Sequence, residues 1–225
     1  MSRIARRWTW SEPVSRLMEA MDEGAILGFP TESSYALGAD PLDPRGVGSI
    51  YQIKGRSGNK PLPVVLGDLE QLGSLGGDSD DPVLCEIASL WPAPLTVVVP
   101  IAEPLPATAG ISSLAIRIPA HENLRSLLQE MKTPLTATSA NLSGGEPVSR
   151  PEMLELILAS WPSLVVDDGV LPGGTPSTIV SLSTDSVMVV RQGAYPVERI
   201  AEAVSIPVFS AAAEENSVDL SWRAR

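Results

Sequence analysis

The sequence predicts an α/β protein in which a single domain is built on a twisted, mixed β-sheet flanked by helices. Short apolar runs that are typical of buried strands alternate along the chain with segments that carry apolar residues at helical spacing. Proline-rich links interrupt this alternation, so a strictly repeated βαβ order is not expected. The 225 residues contain no repeat, and 44% of them are hydrophobic, which is enough for one large core.

The first predicted elements are a helix and a buried strand that ends in a polar cluster. Ser11 as the cap and Pro13 in the first turn predict a helix over 11–24, and the apolar run 25–30 predicts the strand. Thr31 follows at the strand end, which is where α/β sheets usually bind ligands. Its hydroxyl either belongs to such a site or closes a turn by bonding to its own backbone.

A basic loop follows the next predicted helix. Asp43 as the cap and Pro44 at the first helical position predict a helix that ends near Lys54. The loop 54–61 contains two of the chain's three lysines, together with an arginine and two glycines. This combination is typical of a loop that binds phosphate, and a solvated basic turn is the alternative. No G-x-x-x-x-G-K-[ST] motif follows a strand, so side chains would hold the phosphates.

The middle of the chain places an arginine in an apolar strand. Predicted strands cover 63–66, 96–99 and 114–119, and predicted helices cover 68–75 and 81–90. Arg117 lies near the end of the strand over 114–119 and needs an anionic partner there, because an unpaired buried charge is costly. That partner is either a structural carboxylate or a bound carboxylate or phosphate.

The last third of the chain places further polar groups at the ends of predicted elements. Ser139 and Asn141 follow a strand over 134–138, Ser177 begins a strand, and Arg191 follows the strand predicted to pair with it as a hairpin. The remaining predictions are helices over 121–131, 149–160 and 198–204, and strands over 163–166, 177–181 and 187–190.

Composition limits the classes of function that the chain can have. We expect one domain over 10–205 and a flexible C-terminal tail over 206–225. The net charge of −11 argues against non-specific binding to nucleic acid or an anionic membrane. A single cysteine and a single histidine, His121, support neither a disulfide framework nor a Cys- or His-rich metal site, and we expect His121 to be structural. With no apolar run of membrane-spanning length and no secretion signal, we expect a cytoplasmic protein.

Seven short motifs occur in order between about residue 25 and residue 195. They are Phe29-Pro30-Thr31-Glu32, Lys54-x-Arg56 with Lys60-Pro61, Trp91-Pro92-x-Pro94-Leu95-Thr96, Arg117-x-Pro119-x-His121, Ser139-Ala140-Asn141-x-Ser143-Gly144, Ser177-Thr178-Ile179 and Arg191-x-Gly193. As a set they resemble the YrdC/Sua5 family, the threonylcarbamoyl-AMP synthases that begin the t6A modification of tRNA. The resemblance implies a YrdC-like fold in the short, single-domain form, with the domain over 10–205 as the catalytic domain.

The resemblance also implies a reaction and roles for individual residues. A nucleotidyltransferase of this kind joins L-threonine and bicarbonate or CO2 as an N-carboxy species that attacks the α-phosphate of ATP, which gives threonylcarbamoyl-AMP and pyrophosphate. The implied catalytic residues are Lys54, Arg56, Ser139 and Asn141. The implied ATP ligands are these four with Lys60 and Arg191, and the implied threonine ligands are Thr31, Arg117 and Ser177. Mg²⁺ would arrive with ATP rather than in a protein metal site, and tRNA threonylcarbamoyl-transferase proteins would use the product.

Two other functions stay open at this stage. One is a non-catalytic, RNA-binding or ribosome-associated module of the same fold, against which the acidic balance of the chain argues. The other is a related enzyme that handles carbamoyl-adenylates, as in the YrdC-like domain of hydrogenase maturation proteins. Those proteins carry zinc-finger and acylphosphatase-like segments that this cysteine-poor sequence lacks.

Overall fold

The structure is a computed structural model that describes residues 6–55, 60–141 and 145–210. It is a mixed α/β fold, which confirms the predicted fold class. Within the described residues the strands form two mixed sheets, of five and seven strands, where the sequence predicted one mixed sheet.

The strands are short, and several were not predicted. In chain order they are β1 (Arg6–Trp8), β2 (Ile26–Pro30), β3 (Tyr35–Gly38), β4 (Val64–Val65), β5 (Leu95–Pro100), β6 (Ser113–Arg117), β7 (Leu135–Thr136), β8 (Thr138–Ser139), β9 (Ser163–Val166), β10 (Thr178–Leu182), β11 (Val187–Arg191) and β12 (Val208–Ser210). The first sheet has the order β1-β9-β2-β3-β8, and the second has the order β12-β11-β10-β5-β6-β4-β7. The predicted hairpin is confirmed, because β10 and β11 pair antiparallel.

The helices begin mostly where capping residues predicted. They are α1 (Ser15–Asp22), α2 (Pro44–Ile53), α3 (Pro82–Ala88), α4 (Glu122–Met131), α5 (Pro151–Leu158) and α6 (Val197–Ala203), with 3₁₀ helices at Leu69–Leu75 and Pro106–Thr108. Asp43 caps α2 as predicted, since its carboxylate accepts from the backbone N–H of Arg45. The predicted Ser11 cap is wrong: the Ser11 hydroxyl pairs with that of Thr9, and the chain before α1 forms a separate turn in which the N–H of Glu12 donates to the Thr9 carbonyl.

Three strands were missed because each is too short to show a period in the sequence. β1 is an edge strand that pairs in parallel with β9 alone, and β3 is a fully buried run that follows directly on a polar turn. β12 pairs in parallel with β11, so residues at the start of the predicted tail over 206–225 form a strand instead. Hydrogen bonding to a neighbouring strand, rather than local propensity, produces these elements. Residues 211–225 lie outside the described residues.

The predicted strand over 134–138 is divided between the two sheets. β7 pairs with β4 in the second sheet, whereas β8 pairs with β3 in the first. Ala137 lies between them, and its N–H donates to the carbonyl of Pro63. The chain therefore crosses from one sheet to the other immediately before Ser139, which holds the edges of the sheets together at this point.

Apolar clusters cover the sheets on the sides where the helices pack. The buried residues Val97, Leu114 and Ile116 of the second sheet belong to one cluster with Ile87 of α3 and Ile200 of α6. The first sheet packs in a second cluster with residues of α2 and α5, and a third cluster includes residues of α1 and α4. The opposite face of the second sheet is left to line a cavity.

Candidate functional site

A cavity of about 420 Å³ lies between the two sheets. Strands β3 and β8 of the first sheet line it together with β4, β5, β6, β10 and β11 of the second. Six of the predicted site residues line this cavity: Thr31, Lys60, Arg117, Ser139, Ser177 and Arg191. The fold therefore brings together residues that are up to 160 positions apart in the sequence.

Strand periodicity decides which side chains reach the cavity. Ser113, Ala115 and Arg117 alternate along β6 and line it, whereas Leu114 and Ile116 between them are fully buried in the core on the other face. The neighbouring strands β5 and β10 also divide their residues between the cavity and the core. Arg117 thus lies on a strand that is paired on both sides in the sheet, with its side chain on the cavity face.

Lys54 lies beneath the loop that carries Ser139 and Asn141. It is the C-cap residue of α2 and is only 5% exposed. Its Nζ donates to the Ser139 carbonyl (2.6 Å), the Asn141 carbonyl (3.1 Å) and Asn141 Oδ1 (2.9 Å), while the Ser139 hydroxyl donates to the same Oδ1 (2.7 Å). Three residues of the predicted tetrad are therefore in contact, and the fourth, Arg56, lies outside the described residues.

Arg117 has a carboxylate partner within the protein. Its Nη1 donates to Glu32 Oε1, and the two side chains are 13% and 21% exposed. Of the two partners left open by the sequence, a structural carboxylate is therefore present. No role was predicted for Glu32 from the sequence, although it adjoins Thr31 in the first of the seven motifs.

Arg191 lies on the same wall of the cavity as Arg117. Its Nε and Nη2 donate to the Ser177 carbonyl (3.2 and 2.8 Å), and the Ser177 hydroxyl pairs with that of Thr96 (2.9 Å). Burial, and to a smaller extent the positive charge of Arg117, lower the pKa of Arg191. Two guanidinium groups near each other favour binding of an anion between or beside them.

The turn that follows Arg191 is hydrogen-bonded to the neighbouring strand β10 through Gly193 and Thr178. The buried Thr178 hydroxyl accepts from the N–H of Gly193 (2.9 Å) and donates to the carbonyl of Tyr195 (2.6 Å). A Cβ atom on Gly193 would lie 2.3 Å from the Pro176 carbonyl oxygen, so only glycine permits this approach. The motifs around Ser177 and Arg191 therefore form one unit.

Thr31 and Lys60 enter the cavity in different ways. The Thr31 hydroxyl donates to the Ser34 carbonyl (2.7 Å), which confirms the turn interpretation, and the residue also lines the cavity. Lys60 contributes to the lining, and its carbonyl accepts from the hydroxyl of Tyr51 (2.6 Å). Among the residues that the structure describes, Lys60 is the lysine that lines the cavity.

His121 is structural, as predicted. Its Nδ1 caps α4 by accepting from the N–H of Leu124 (3.2 Å), and its Nε2 pairs with Asp168 (3.0 Å). Trp10 stacks on the imidazole and donates to the other oxygen of Asp168 (2.6 Å). Because Nδ1 accepts a hydrogen bond, the proton of the neutral ring is on Nε2, where it donates to Asp168.

Metal-ligating groups do not cluster in the part of the chain that the structure describes. No set of three or more His, Cys, Asp or Glu side chains there is arranged to hold a metal ion. Glu32, which adjoins Thr31 in the sequence, forms an ion pair with Arg117. In the same described ranges, no helix has the length and hydropathy needed to cross a membrane.

The fold and cavity define an α/β protein with a cationic site between two mixed sheets, suited to an anionic ligand of small to moderate size. The Sua5/YciO/YrdC family model, which is described as "Telomere recombination", matches residues 19–193. The chain belongs to this family. Among curated relatives, it is 33% identical to a threonylcarbamoyl-AMP synthase of Pyrococcus abyssi over 88% of this chain and 58% of that protein. It is also 33% identical to a threonylcarbamoyl-AMP synthase of Yersinia enterocolitica, over 71% of this chain and 85% of the relative.

Solved structures share the fold. The crystal structure of P. abyssi Sua5 complexed with L-threonine matches with a TM-score of 0.78 and 30% identity, over 96% of this chain and 65% of the other. Escherichia coli YciO matches with a TM-score of 0.73 at 24% identity, over 89% of this chain and all of YciO, which supports the fold alone. The chain spans somewhat more than half the length of the P. abyssi relative.

Proposed function

We propose that this chain is a threonylcarbamoyl-AMP synthase, a nucleotidyltransferase. The amine nitrogen of L-threonine bonds to the carbon of CO2 with loss of a proton, or to the carbon of bicarbonate with loss of water, and this gives a carbamate. A carbamate oxygen then attacks the α-phosphorus of ATP, the bond from that phosphorus to the bridging oxygen breaks, and pyrophosphate leaves with the β- and γ-phosphates. The relatives named threonylcarbamoyl-AMP synthase support this proposal.

The observation that carries the proposal is the pair of arginines on the second sheet, which faces Ser139 and Lys60 across one cavity. Arg117 and Arg191 supply guanidinium donors at one wall, and Ser139 on β8 belongs to the other sheet. Such a cavity can bind the carboxylate of an amino acid at one wall and phosphate oxygens at the other. Holding reactants in line converts a multi-substrate reaction into an intramolecular one, which is the main demand of displacement at phosphorus.

In this proposal threonine binds at the wall formed by the second sheet. The Arg117 guanidinium binds its carboxylate, Ser177 donates a hydroxyl, and Thr31 closes the pocket from the turn after β2. P. abyssi Sua5, which is 30% identical to this chain, was crystallised as a complex with L-threonine, and this supports threonine as the substrate. Guanidinium–carboxylate pairs form strong, charge-assisted hydrogen bonds, so Arg117 is the main determinant of affinity.

ATP is then placed against the loop after β8. Ser139, Asn141 and Lys60 bind phosphate oxygens, with Lys54 and Arg56 supplying further positive charge and Arg191 reaching the nucleotide from the opposite wall. Mg²⁺ arrives on the phosphates of ATP, because the described residues offer no carboxylate cluster for it. Bound there, Mg²⁺ neutralises phosphate charge as pyrophosphate leaves.

The product is a mixed anhydride of a carbamate and AMP, so an acceptor must take it before it hydrolyses. We propose that this acceptor is a tRNA threonylcarbamoyl-transferase system that builds t6A, and that the reaction takes place in the cytoplasm, where ATP, bicarbonate and tRNA meet.

The proposal is tested by pyrophosphate release from ATP by the purified protein in the presence of Mg²⁺. We expect release that requires both L-threonine and bicarbonate, and that falls at least 100-fold in Arg117→Met. Arg199→Met, at an exposed position on α6 outside the cavity, is the matched control and should retain turnover. Tight RNA binding without any threonine-dependent pyrophosphate would contradict the proposal and favour the non-catalytic RNA-binding module.

A further inference from the structure

Glu32 places a negative charge beside a site that otherwise collects positive charge. The carboxylate contacts Arg117, and Arg117 and Arg191 line the same wall. A site selected only for its affinity toward anions would gain from the removal of this acid, because the acid repels them. The presence of Glu32 at this point therefore needs a physical explanation.

The contact with Arg117 leaves part of the hydrogen-bonding capacity of the Glu32 carboxylate unused, unlike a purely structural ion pair. Oε1 accepts from Arg117, but Oε2 is inaccessible to solvent and has no hydrogen-bond partner among the described residues. A buried carboxylate oxygen without a partner destabilises the folded state, because it loses its hydrogen bonds to water and gains none from the protein. The pair therefore costs more stability than a fully bonded pair would, and this cost is consistent with a role in binding.

Among the residues that the structure describes, the contact with Glu32 uses one corner of the Arg117 guanidinium. A single nitrogen, Nη1, donates to Glu32, while the side chain lines the cavity. Glu32 thus orients the guanidinium from one corner and reduces the charge of the wall without covering it. Together, the two arginines of the wall and the acid that contacts Arg117 have two positive charges and one negative charge, a net charge of about +1.

We propose that Glu32 is a specificity-determining residue, which keeps the Arg117 part of the two-arginine wall selective for a zwitterionic amino acid over dianions such as phosphate. This inference rests on the proposed function, because it assigns the wall to threonine. The Coulomb energy of a ligand scales with its charge, so Glu32 penalises a dianion about twice as strongly as a monoanion. It also attracts the ammonium group of the amino acid. The phosphates of ATP are thereby kept away from the threonine position.

The test is displacement of radiolabelled L-threonine by sulfate, a dianion, and by acetate, a monoanion, in equilibrium dialysis. In Glu32→Gln we expect sulfate to displace threonine at about tenfold lower concentration, and acetate at about threefold lower concentration, than in the native protein. The affinity of Glu32→Gln for threonine itself should differ from that of the native protein by less than threefold.

Two further variants separate charge from other effects. Glu32→Asp keeps the charge and should retain most of the discrimination against sulfate. Glu19→Gln makes the same change at an exposed position on α1, outside the cavity. Sulfate and acetate should displace threonine from this variant at the same concentrations as from the native protein. Unfolding midpoints measured for all three variants report whether each is folded.

The inference is overturned if sulfate displacement changes less than twofold in Glu32→Gln, or if Glu32→Asp or Glu19→Gln shifts it equally. A loss of folding stability without a change in selectivity would make the pair purely structural. If the native protein does not bind threonine at all, the proposed function fails instead. Calorimetric titration of sulfate into the native protein and Glu32→Gln then tests the charge effect of Glu32 by itself.

Discussion

Lys54 is a buried cation that contacts the loop at the edge of the site rather than the cavity itself. Its ammonium group lies 2.6–3.1 Å from the oxygens of Ser139 and Asn141, and the side chain is 5% exposed. A buried lysine in such a position stabilises the loop that carries Ser139 and Asn141 and also contributes positive charge to the region. Its three hydrogen bonds hold the loop at Ser139 and Asn141, so we assign Lys54 a positioning role.

This positioning role predicts a combined effect on turnover and stability. Lys54→Met retains the apolar length of the side chain but removes the buried ammonium donor from two carbonyl groups, so we expect a loss of about 2–3 kcal/mol in the free energy of unfolding. Pyrophosphate release should fall at least 100-fold. Lys132→Met, which removes an exposed lysine, is the matched control in both urea unfolding and turnover. Native-like stability in Lys54→Met would contradict the positioning role.

The sequence could not predict which side chains of the site contact each other. Strand ends and the basic loop predicted which side chains would be polar and near the ligand. The contacts from Lys54 to Ser139 and from Arg117 to Glu32 each span 85 positions, a separation at which local patterns contain no information. The sequence left open whether Arg117 binds a structural carboxylate, and only the tertiary fold decides between Glu32 and another acid.

At the scale of elements, the turn after β11 depends on a close approach between two backbones. Gly193 lies against Pro176 and Ser177 at the start of β10, and the Thr178 hydroxyl bonds its N–H. This contact brings Arg191 and Ser177 to one wall of the cavity. The turn after β11 and the segment that leads into β10 are therefore in direct backbone contact, and a side chain at Gly193 would force them apart.

Gly193→Ala should consequently damage the site through its geometry. The added Cβ would come within 2.4 Å of three backbone atoms, so the turn must shift, and we expect a loss of about 1–3 kcal/mol in the free energy of unfolding and a raised KM for ATP or threonine. Gly48→Ala on α2 is the matched control, because no atom lies within 4 Å of its Cβ position and alanine favours a helix. Equal stability of the two variants, measured by thermal unfolding, would refute the close-approach argument.

Elements with strong local signals were predicted well, and those made by pairing were not. Asp43-Pro44 and Asp81-Pro82 place helix starts correctly, because a cap and a proline act within one turn. The break at Ala137 between β7 and β8 could not be predicted, since 134–138 reads as one short strand and its two halves differ only in which sheet they join.

At the scale of the whole molecule, the site depends on two sheets meeting rather than on one sheet edge. The prediction of one mixed sheet placed the polar residues at strand ends, which was sufficient to group them. It could not indicate that Ser139 and Arg117 belong to different sheets and face each other across a cavity. The packing of the first sheet on the second follows from apolar side chains spread over the entire chain, which no single motif contains.

In the proposed function, this cavity joins threonine, a one-carbon unit from bicarbonate, and AMP. The most direct measurement is mass spectrometry of the adenylate formed from ATP, L-threonine and ¹³C-bicarbonate, with and without the enzyme. We predict an AMP adduct of threonine that carries one ¹³C atom and is absent without bicarbonate. A threonyl adenylate without ¹³C, or AMP and pyrophosphate with no threonine adduct even at the earliest time points, would contradict the proposed reaction.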